Sequence, residues 1–394
     1  MSSIEKPTSS EIVGPFNNIT YVRHRGQFRG TTRNGDYSVP YEITVPRTPG
    51  EGEHLFVFEP PHFASGFVAR NNLLGELFIF GNGYSHASVG FGNRGLHILD
   101  PRPGFELKIR DTTIEVLRED SKDTELVDFN IMGQFAAELR RSRSDLFGET
   151  RQIYAVGFSD SGDTVHDIYR EIGHEAFDLT MAGTASYVEP VKIVNQSPIM
   201  VLNTEADFDK RAVANPSFPA YRYYAIAGGP HIPDAALTRP AFDGDPGPSI
   251  AGTTPINWLL FARALFKAGD RWVRNNRQPP RSATLELSAR GEIVRDGRQN
   301  ALGGIRHPAL ELGEARFIAS PGRNGFGLFG DYRNPRPLAD GEFPEYLRTF
   351  TRVTNALFDA GYLLARGRDR LIREAQLSPP NTYTLNYRAG LLLP

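Results

Sequence analysis

Short apolar runs of strand length alternate with helix-patterned segments through the first 230 residues, and this alternation restricts the folds open to the chain. The runs include "HLFVFEPP", "RQIYAVGF", "SPIMVLN" and "AYRYYAIA". Between the first two lies "VDFNIMGQFAAELRRSR", where Met132, Phe135, Ala136 and Leu139 form one apolar helical stripe and Asp128 precedes it as a candidate cap. Alternation of this kind predicts an α/β fold, with a mostly parallel central sheet flanked by helices.

The two ends of the chain differ from this central pattern. Residues 1–15 are rich in Ser, Glu and Pro and are predicted to be a loose N-terminal segment. Residues 16–240 are predicted to form the α/β core. After residue 240 come a turn-rich stretch, the amphipathic segment "INWLLFARALFKAGDRWVRNN", the segment "GGIRHPAL" and a long helical pattern. Residues 241–394 are therefore predicted to form a C-terminal elaboration of helices and a hairpin, packed on the core as a cap.

Composition excludes several classes of function. The 394 residues carry a formal net charge of −2, which gives no attraction to nucleic acid or to an anionic membrane. The absence of cysteine excludes disulfides, thiolate metal sites and cysteine nucleophiles, and it agrees with a reducing cytoplasm. The N-terminus lacks the pattern of a secretory signal, and no apolar run reaches the length of a membrane span. A cytoplasmic location is expected.

Motifs for metals and cofactors are missing from the sequence. It contains no H-E-x-x-H, no P-loop and no G-x-G-x-x-G after a strand, so we predict neither metal nor cofactor. The expected partner is a small-molecule substrate. The tail "NTYTLNYRAGLLLP" ends on leucines that pack either on the body of the protein or on a second subunit, which leaves a homo-oligomer open.

A serine lies where one apolar run gives way to a helical pattern, in "YAVGFSDSGDTVHDIYREIGH". A nucleophilic serine must be exposed on a tight strand-to-helix turn, and crowding there demands small residues two positions before and after it. Around Ser159 these positions hold Gly157 and Ser161, with Gly162 following. The strict G-x-S-x-G pattern has glycine where this chain has Ser161. We predict that Ser159 is the nucleophile of a serine hydrolase.

The partners that such a serine needs follow in the expected order of acid and then histidine. Glu205 and Asp207 come just after the run "PIMVLNT", and His231 comes in a Gly-Pro loop after the next run. Each therefore falls at the carboxyl end of a strand, where sites in open α/β sheets collect. Either carboxylate is able to hold the imidazole N–H. The residues alone leave both acids open.

Two backbone N–H groups are needed to stabilise the oxyanion. The first is expected from Asp160, the residue after the nucleophile. The second is expected from the loop "FEPPHFASG" after an early strand. Because proline has no N–H, His62 or Phe63 is the predicted donor there.

Taken together, these segments resemble a family of α/β-hydrolase-domain proteins. The family carries an elbow G-x-S-Q-S, a T-E-x-D segment, an A-G-x-x-H segment and a G-G-I-R-x-P segment, which resemble "GFSDSG", "NTEAD", "AGGPH" and "GGIRHPAL" here. Asp160 replaces the usual glutamine, and "EPPH" stands where the family tends to have E-W-x-N. The resemblance, which covers about residues 150–310, implies an α/β-hydrolase fold and a triad of Ser159, Glu205 and His231. It therefore favours Glu205 as the acid, with Asp207 as the alternative.

The expected activity is hydrolysis of a carboxylic ester or lactone through an acyl-enzyme. Aromatic residues in the C-terminal part favour a small apolar or aromatic substrate. Amidase or acyltransferase activity with the same triad is one alternative, because the covalent half-reaction is shared. A non-catalytic ligand-binding homologue of the same fold is another.

Overall fold

A computed structural model describes most of the chain, and the secondary-structure elements follow from it. The described residues are 2–47, 54–62, 73–91, 104–109, 112–117, 128–141, 147–173, 176–185, 197–210, 219–232, 254, 256–320, 330–339 and 341–377. The helices are α1 (Glu76–Gly81), α2 (Phe129–Arg141), α3 (Asp160–Ile168, continued by a π-helical turn Tyr169–Gly173), α4 (Leu259–Asn275), α5 (Pro308–Glu311), α6 (Phe343–Asp359) and α7 (Ala365–Leu377). The strands are β1 (Ser3–Ile4), β2 (Ser9–Phe16), β3 (Ile19–Thr32), β4 (Gly35–Pro46), β5 (His54–Phe58), β6 (Ser85–Val89), β7 (Gly104–Ile109), β8 (Thr112–Leu117), β9 (Thr150–Phe158), β10 (Leu179–Gly183), β11 (Ile199–Thr204), β12 (Tyr221–Ala227), β13 (Ile305–Arg306), β14 (Arg316–Ile318) and β15 (Asp331–Arg333).

The chain forms two compact units. The first comprises Met1–Leu107, Ile114–Ala185 and Val191–Ile199, and the second is built mainly from Met200–Pro394. The predicted boundary between residues 240 and 241 lies outside the described residues. The role of the C-terminal helices as a cap stays a prediction.

The first unit contains a mixed sheet with the strand order β1-β3-β4-β6-β5-β9-β10, and β2 pairs with β3. β3 and β4 form a long antiparallel hairpin, whereas β5 pairs in parallel with both β6 and β9. The prediction of a loose segment over residues 1–15 is not what the structure shows, because β1 and most of β2 lie there and pair antiparallel with β3. β2 is mostly exposed, so its side chains show no alternation of apolar and polar residues from which a strand could be predicted.

Within the first unit, helix α2 packs through the apolar stripe identified in the sequence. Met132, Phe135, Ala136 and Leu139 are all buried. The ring of Phe135 lies edge-on to that of Phe28 in β3, with centroids 5.2 Å apart. The Asp128 carboxylate accepts a hydrogen bond of 3.0 Å from a backbone N–H of the first helical turn. The helical prediction for this segment is therefore confirmed, including its cap.

The second unit contributes the strand order β11-β12-β13. β11 and β12 are almost entirely buried, which agrees with their mainly apolar sequences. The "GGIR" segment, predicted to belong to the cap, instead supplies β13, and Ile305 pairs in parallel with Ile226 of β12.

In the first unit, parallel strands β9 and β10 pack against α3. The predicted α/β fold class is confirmed.

The second unit also contains three long helices, α4, α6 and α7. α4 buries its apolar face as predicted, and α6 and α7 pack against each other as two separate helices. They are separated by a turn at Gly361, where φ is +83°. No helix among the described residues has the length and apolar character needed to cross a membrane.

A buried carboxyl group ties α6 to the rest of this unit. Glu314 is 3% exposed, and its Oε1 accepts a hydrogen bond of 2.7 Å from the Tyr346 hydroxyl. Burial raises the pKa of Glu314 to about 7. In the unfolded chain a glutamate has a pKa of about 4.3. Between these values the folded state holds a proton that the unfolded state has released, so stability falls as pH rises through this window.

We therefore expect Glu314→Gln to remove a pH-dependent loss of stability. Glutamine keeps an acceptor oxygen for Tyr346 and is neutral at every pH. Relative to this variant, the wild type should lose about 3 kcal/mol of unfolding free energy between pH 4 and pH 8, since one pKa unit corresponds to about 1.4 kcal/mol. Urea unfolding of both proteins at the two pH values gives this difference, in which all other titrating groups cancel. Parallel pH profiles for the two proteins would show that folding does not raise the pKa of Glu314.

Candidate active site

Ser159 lies on the tight turn between β9 and α3 and has an unusual backbone conformation. Its φ is 57° and its ψ is −124°, a region that non-glycine residues rarely occupy. Its N–H donates to the carbonyl oxygen of Gly183, the last residue of the neighbouring strand β10, at 2.9 Å, and to the hydroxyl of Thr184, the next residue, at 3.1 Å. Strain of this kind costs about 1–3 kcal/mol and persists only where the surroundings fix it.

Three small residues explain why the chain folds into this turn. A Cβ at Gly157 would overlap the carbonyl group of Ser161, and a Cβ at Gly162 would overlap the carbonyl oxygen of Gly183. Ser161 is buried, and its hydroxyl donates to the Phe158 carbonyl oxygen and accepts from the Phe158 N–H, both at 2.9 Å. The hydroxyl of Ser161 thus closes the turn, where the strict motif has glycine.

The close approach at Gly162 gives a direct test of the turn. We expect Gly162→Ala to destabilise the protein by about 1–3 kcal/mol, because the clashing atom belongs to the β10 backbone and has little freedom to move. Gly297→Ala is the matched control, since a Cβ there meets no atom within 4 Å. It should change the unfolding free energy by less than about 0.5 kcal/mol. Equal stability of the two variants in urea unfolding would contradict the tight packing of α3 on β10.

One residue predicted to stabilise an oxyanion lies at this turn, and another follows a neighbouring strand. Asp160 directly follows Ser159 and is the first residue of α3. β5 and β9 are parallel neighbours, and Phe58 is in register with Ala155. His62 lies four residues after Phe58, and Ser159 lies four residues after Ala155. Both residues therefore come shortly after the carboxyl ends of adjacent strands. His62 is buried, whereas Phe63 lies outside the described residues.

In the second unit, a histidine and a carboxylate follow the ends of β12 and β11. His231 Nδ1 lies 2.7 Å from Asp207 Oδ1. The side chain of His231 is 15% exposed and that of Asp207 is 14% exposed. A carboxylate only accepts hydrogen bonds, so Nδ1 carries the proton and the lone pair of the neutral ring is on Nε2. This is the tautomer that a general base needs. The two residues form a His–Asp pair.

The Asp207 carboxylate is fixed by the turn that carries it. Oδ2 accepts a hydrogen bond of 2.7 Å from the Thr204 hydroxyl, and the Asp207 carbonyl oxygen accepts one of 3.0 Å from the Asn203 amide. The Asp207 N–H donates to the Thr204 carbonyl oxygen at 3.2 Å. The supporting roles of Asn203 and Thr204 were not predicted from the sequence. The available signal was the presence of Asn, Thr and Asp together just after an apolar run, since these residues often form side-chain hydrogen bonds in turns.

Glu205, the acid favoured by the resemblance, accepts hydrogen bonds from groups other than His231. Its Oε2 accepts a hydrogen bond of 2.7 Å from the Gly228 N–H, and its Oε1 accepts one of 2.7 Å from Arg295. Both oxygens therefore bind donors other than the imidazole. The geometry corrects the preference for Glu205, because the alternative acid, Asp207, is the residue at the His231 ring.

His86 and His307 are among the buried histidines of the described residues. His86 lies within β6, and its Nε2 is 3.2 Å from Glu59 Oε2, with both side chains inaccessible to solvent. His307 caps α5, its Nδ1 accepting from the Ala309 N–H at 3.2 Å, and burial lowers its pKa to about 3. Among the described residues, no group of three His, Asp or Glu side chains is arranged to hold a metal ion.

Proteins of known structure that are similar to this chain include esterases of low sequence identity. They include a ferulic acid esterase from Streptomyces cinnamoneus (13% identity, 53% of this chain and 74% of that chain, TM-score 0.34). An S-formylglutathione hydrolase from Agrobacterium tumefaciens is 9% identical over 56% of this chain and 90% of that chain, with a TM-score of 0.35. A bacterial brefeldin A esterase is 8% identical, with a TM-score of 0.32; the match spans 46% of this chain and 60% of the length of that esterase.

A family model matches most of the sequence. No curated protein matches the chain. A profile described as "Alpha/beta hydrolase domain" matches residues 97–373, which is well over half of the sequence and includes the Ser159 turn, the His–Asp pair and Arg295. The chain therefore belongs to the alpha/beta hydrolase domain family.

Proposed function

We propose that the protein is a serine hydrolase that cleaves carboxylic esters or lactones. The observation that carries this proposal is the backbone of Ser159, held at φ 57° between β9 and α3 by residues that leave no room for larger side chains. A turn of this kind exposes a serine hydroxyl at the end of a strand, where attack on a carbonyl carbon is unhindered. A serine in an ordinary loop needs no such strain.

In the proposed mechanism, Ser159 acts with the His–Asp pair. His231 takes the proton of the Ser159 hydroxyl at Nε2 as the oxygen attacks the carbonyl carbon, and then gives it to the leaving alcohol. Asp207 holds the ring through Nδ1 and stabilises the imidazolium that forms. Water then attacks the acyl-enzyme with His231 as the base. The order of serine, acid and histidine along the chain is that of the family's fold.

The tetrahedral intermediate carries a negative charge, which two N–H groups are proposed to stabilise. One is the N–H of Asp160 at the start of α3, where the helix dipole adds a favourable field. The other comes from the loop after β5, from His62 or Phe63. The register of β5 with β9 supports this choice, since it aligns the strand ends that precede His62 and Ser159.

The substrate is proposed to be a small molecule with an apolar or aromatic acyl or alcohol group. A panel of nitrophenyl esters of increasing acyl length, matched anilides and simple lactones tests this. We expect esters and lactones to be hydrolysed much faster than anilides, whose leaving group must be protonated. Faster turnover of anilides would favour an amidase. Esters formed from an added alcohol would favour an acyltransferase, and no turnover at all would favour a ligand-binding homologue.

A further inference from the structure

The side chain of Glu205 links the two segments that carry the His–Asp pair. Its exposed fraction is only 6%. Its Oε2 accepts from the N–H of Gly228, which is three residues before His231, at 2.7 Å. Its own N–H donates to the Ile226 carbonyl oxygen at 2.9 Å, and the next N–H, from Ala206, donates to the Gly229 carbonyl oxygen at 3.2 Å. The turn that carries Asp207 is thus bound to the loop that carries His231.

The loop around Gly228 has a conformation that only glycine adopts without strain. Its φ is +67°. A Cβ there would overlap Leu310 and lie 2.9 Å from Ile256 Cδ1. This backbone conformation places the Gly228 N–H beyond the end of β12, where Glu205 supplies its acceptor. A buried N–H without an acceptor is costly, so removing the carboxylate oxygen would favour a different loop conformation.

Arg295 supplies the charge that the buried carboxylate requires. Its Nη2 donates to Glu205 Oε1 at 2.7 Å, and its Nη1 donates to the Gln299 carbonyl oxygen at 3.1 Å. Replacing a buried ion pair by well-packed apolar residues is often neutral or stabilising. The Arg295 side chain is 35% exposed, so this pair is only partly buried and by itself is expected to add little stability.

We propose that Glu205, supported by Arg295, is a positioning residue for ester hydrolysis. It holds the loop 228–231 against the turn 204–207, so that His231 and Asp207 are hydrogen-bonded before the substrate arrives. This inference rests on the proposed function. A displacement of about 1 Å in a catalytic group is enough to lower a rate roughly 100-fold, which gives such a link its importance.

Two double variants separate positioning from charge and volume. Glu205→Gln with Arg295→Met, called the Gln/Met variant, keeps an oxygen acceptor for the Gly228 N–H and removes both charges. Glu205→Met with Arg295→Met, called the Met/Met variant, has nearly the same side-chain volume, no charge and no oxygen acceptor. The matched control for loss of a buried ion pair is Asp270→Asn, since Asp270 is 1% exposed and paired with Arg274 at 2.7 Å in α4.

Nitrophenyl acetate hydrolysis, measured well below the unfolding temperature of every variant, gives kcat and KM. We expect the Met/Met variant to lose roughly 10- to 100-fold in kcat with KM within about twofold. The Gln/Met variant and Asp270→Asn should stay within about threefold of wild-type kcat. Equal kcat values for the two double variants, whether both low or both normal, would overturn the proposal. Should Met/Met fail to fold, Glu205→Asp replaces it, and an unchanged kcat for that variant would also overturn the proposal.

A second measurement is independent of turnover. The Nδ1 proton in the His231–Asp207 hydrogen bond gives a low-field proton NMR resonance, identified by its loss in Asp207→Asn. The resonance should persist in Gln/Met and be lost or broadened in Met/Met. Its persistence in both double variants would refute the positioning role. If the wild type hydrolyses no ester, the proposed function fails, and this resonance still decides whether Glu205 positions the pair.

Discussion

Replacing Ser159 by alanine is expected to lower kcat for nitrophenyl ester hydrolysis by roughly 10⁶-fold. In the proposed mechanism the hydroxyl oxygen of Ser159 forms the covalent bond to the acyl group, which the alanine methyl group cannot do. KM should change little, because the remaining contacts bind the ground state. Steady-state kinetics of purified wild type and variant, with the uncatalysed rate subtracted, provide the measurement.

A control on folding belongs to this comparison. Alanine at position 159 adopts the same strained backbone as serine and preserves the hydrogen bond from the N–H to Gly183. The urea midpoint of Ser159→Ala should therefore stay close to that of the wild type. Retention of more than a tenth of wild-type kcat in this folded variant would remove Ser159 from the mechanism.

Asp207→Asn is expected to produce the second-largest loss, roughly 10⁴-fold in kcat. Asparagine keeps the size of the side chain and can still accept from the Thr204 hydroxyl. It no longer stabilises the imidazolium, and its amide group favours the tautomer with the proton on Nε2. Steady-state kinetics on nitrophenyl acetate measure this loss, and Asp270→Asn, which removes a buried carboxylate from α4, serves as the control with nearly normal kcat.

The same experiment decides between the two acids. Glu205→Gln retains an acceptor for Gly228 and should lose far less activity than Asp207→Asn. A larger loss for Glu205→Gln, with near-normal activity in Asp207→Asn, would show that Glu205 is the acid in the working enzyme.

The parts of the fold with strong local signals were predictable from the sequence. The turn at Ser159 is one, because glycine and serine at set positions report the crowding around a strand-to-helix turn. Helix α2 is another, since four apolar residues at helical spacing and an acidic cap agree with each other. The placement of Asp207 and His231 after strands β11 and β12 followed from the two apolar runs before them.

Other features depend on contacts between distant residues and have no local signal. The choice of acid is set by which carboxylate faces His231, and two acids two positions apart in one turn look alike in sequence. Arg295 lies 90 residues after Glu205, and nothing in its surroundings marks it as a partner. β2 was missed because it is largely exposed, and pairing with β3 rather than burial forms the strand.

Covalent labelling with a fluorophosphonate is the most direct measurement of the central claim, that Ser159 is a nucleophile activated by the His–Asp pair. The reagent reacts with an activated serine hydroxyl, and peptide mass spectrometry locates the adduct. We predict one phosphonyl group per chain, on Ser159, with labelling much slower in Asp207→Asn. Folded wild-type protein that stays unlabelled, or that carries the adduct on another residue, would contradict the account.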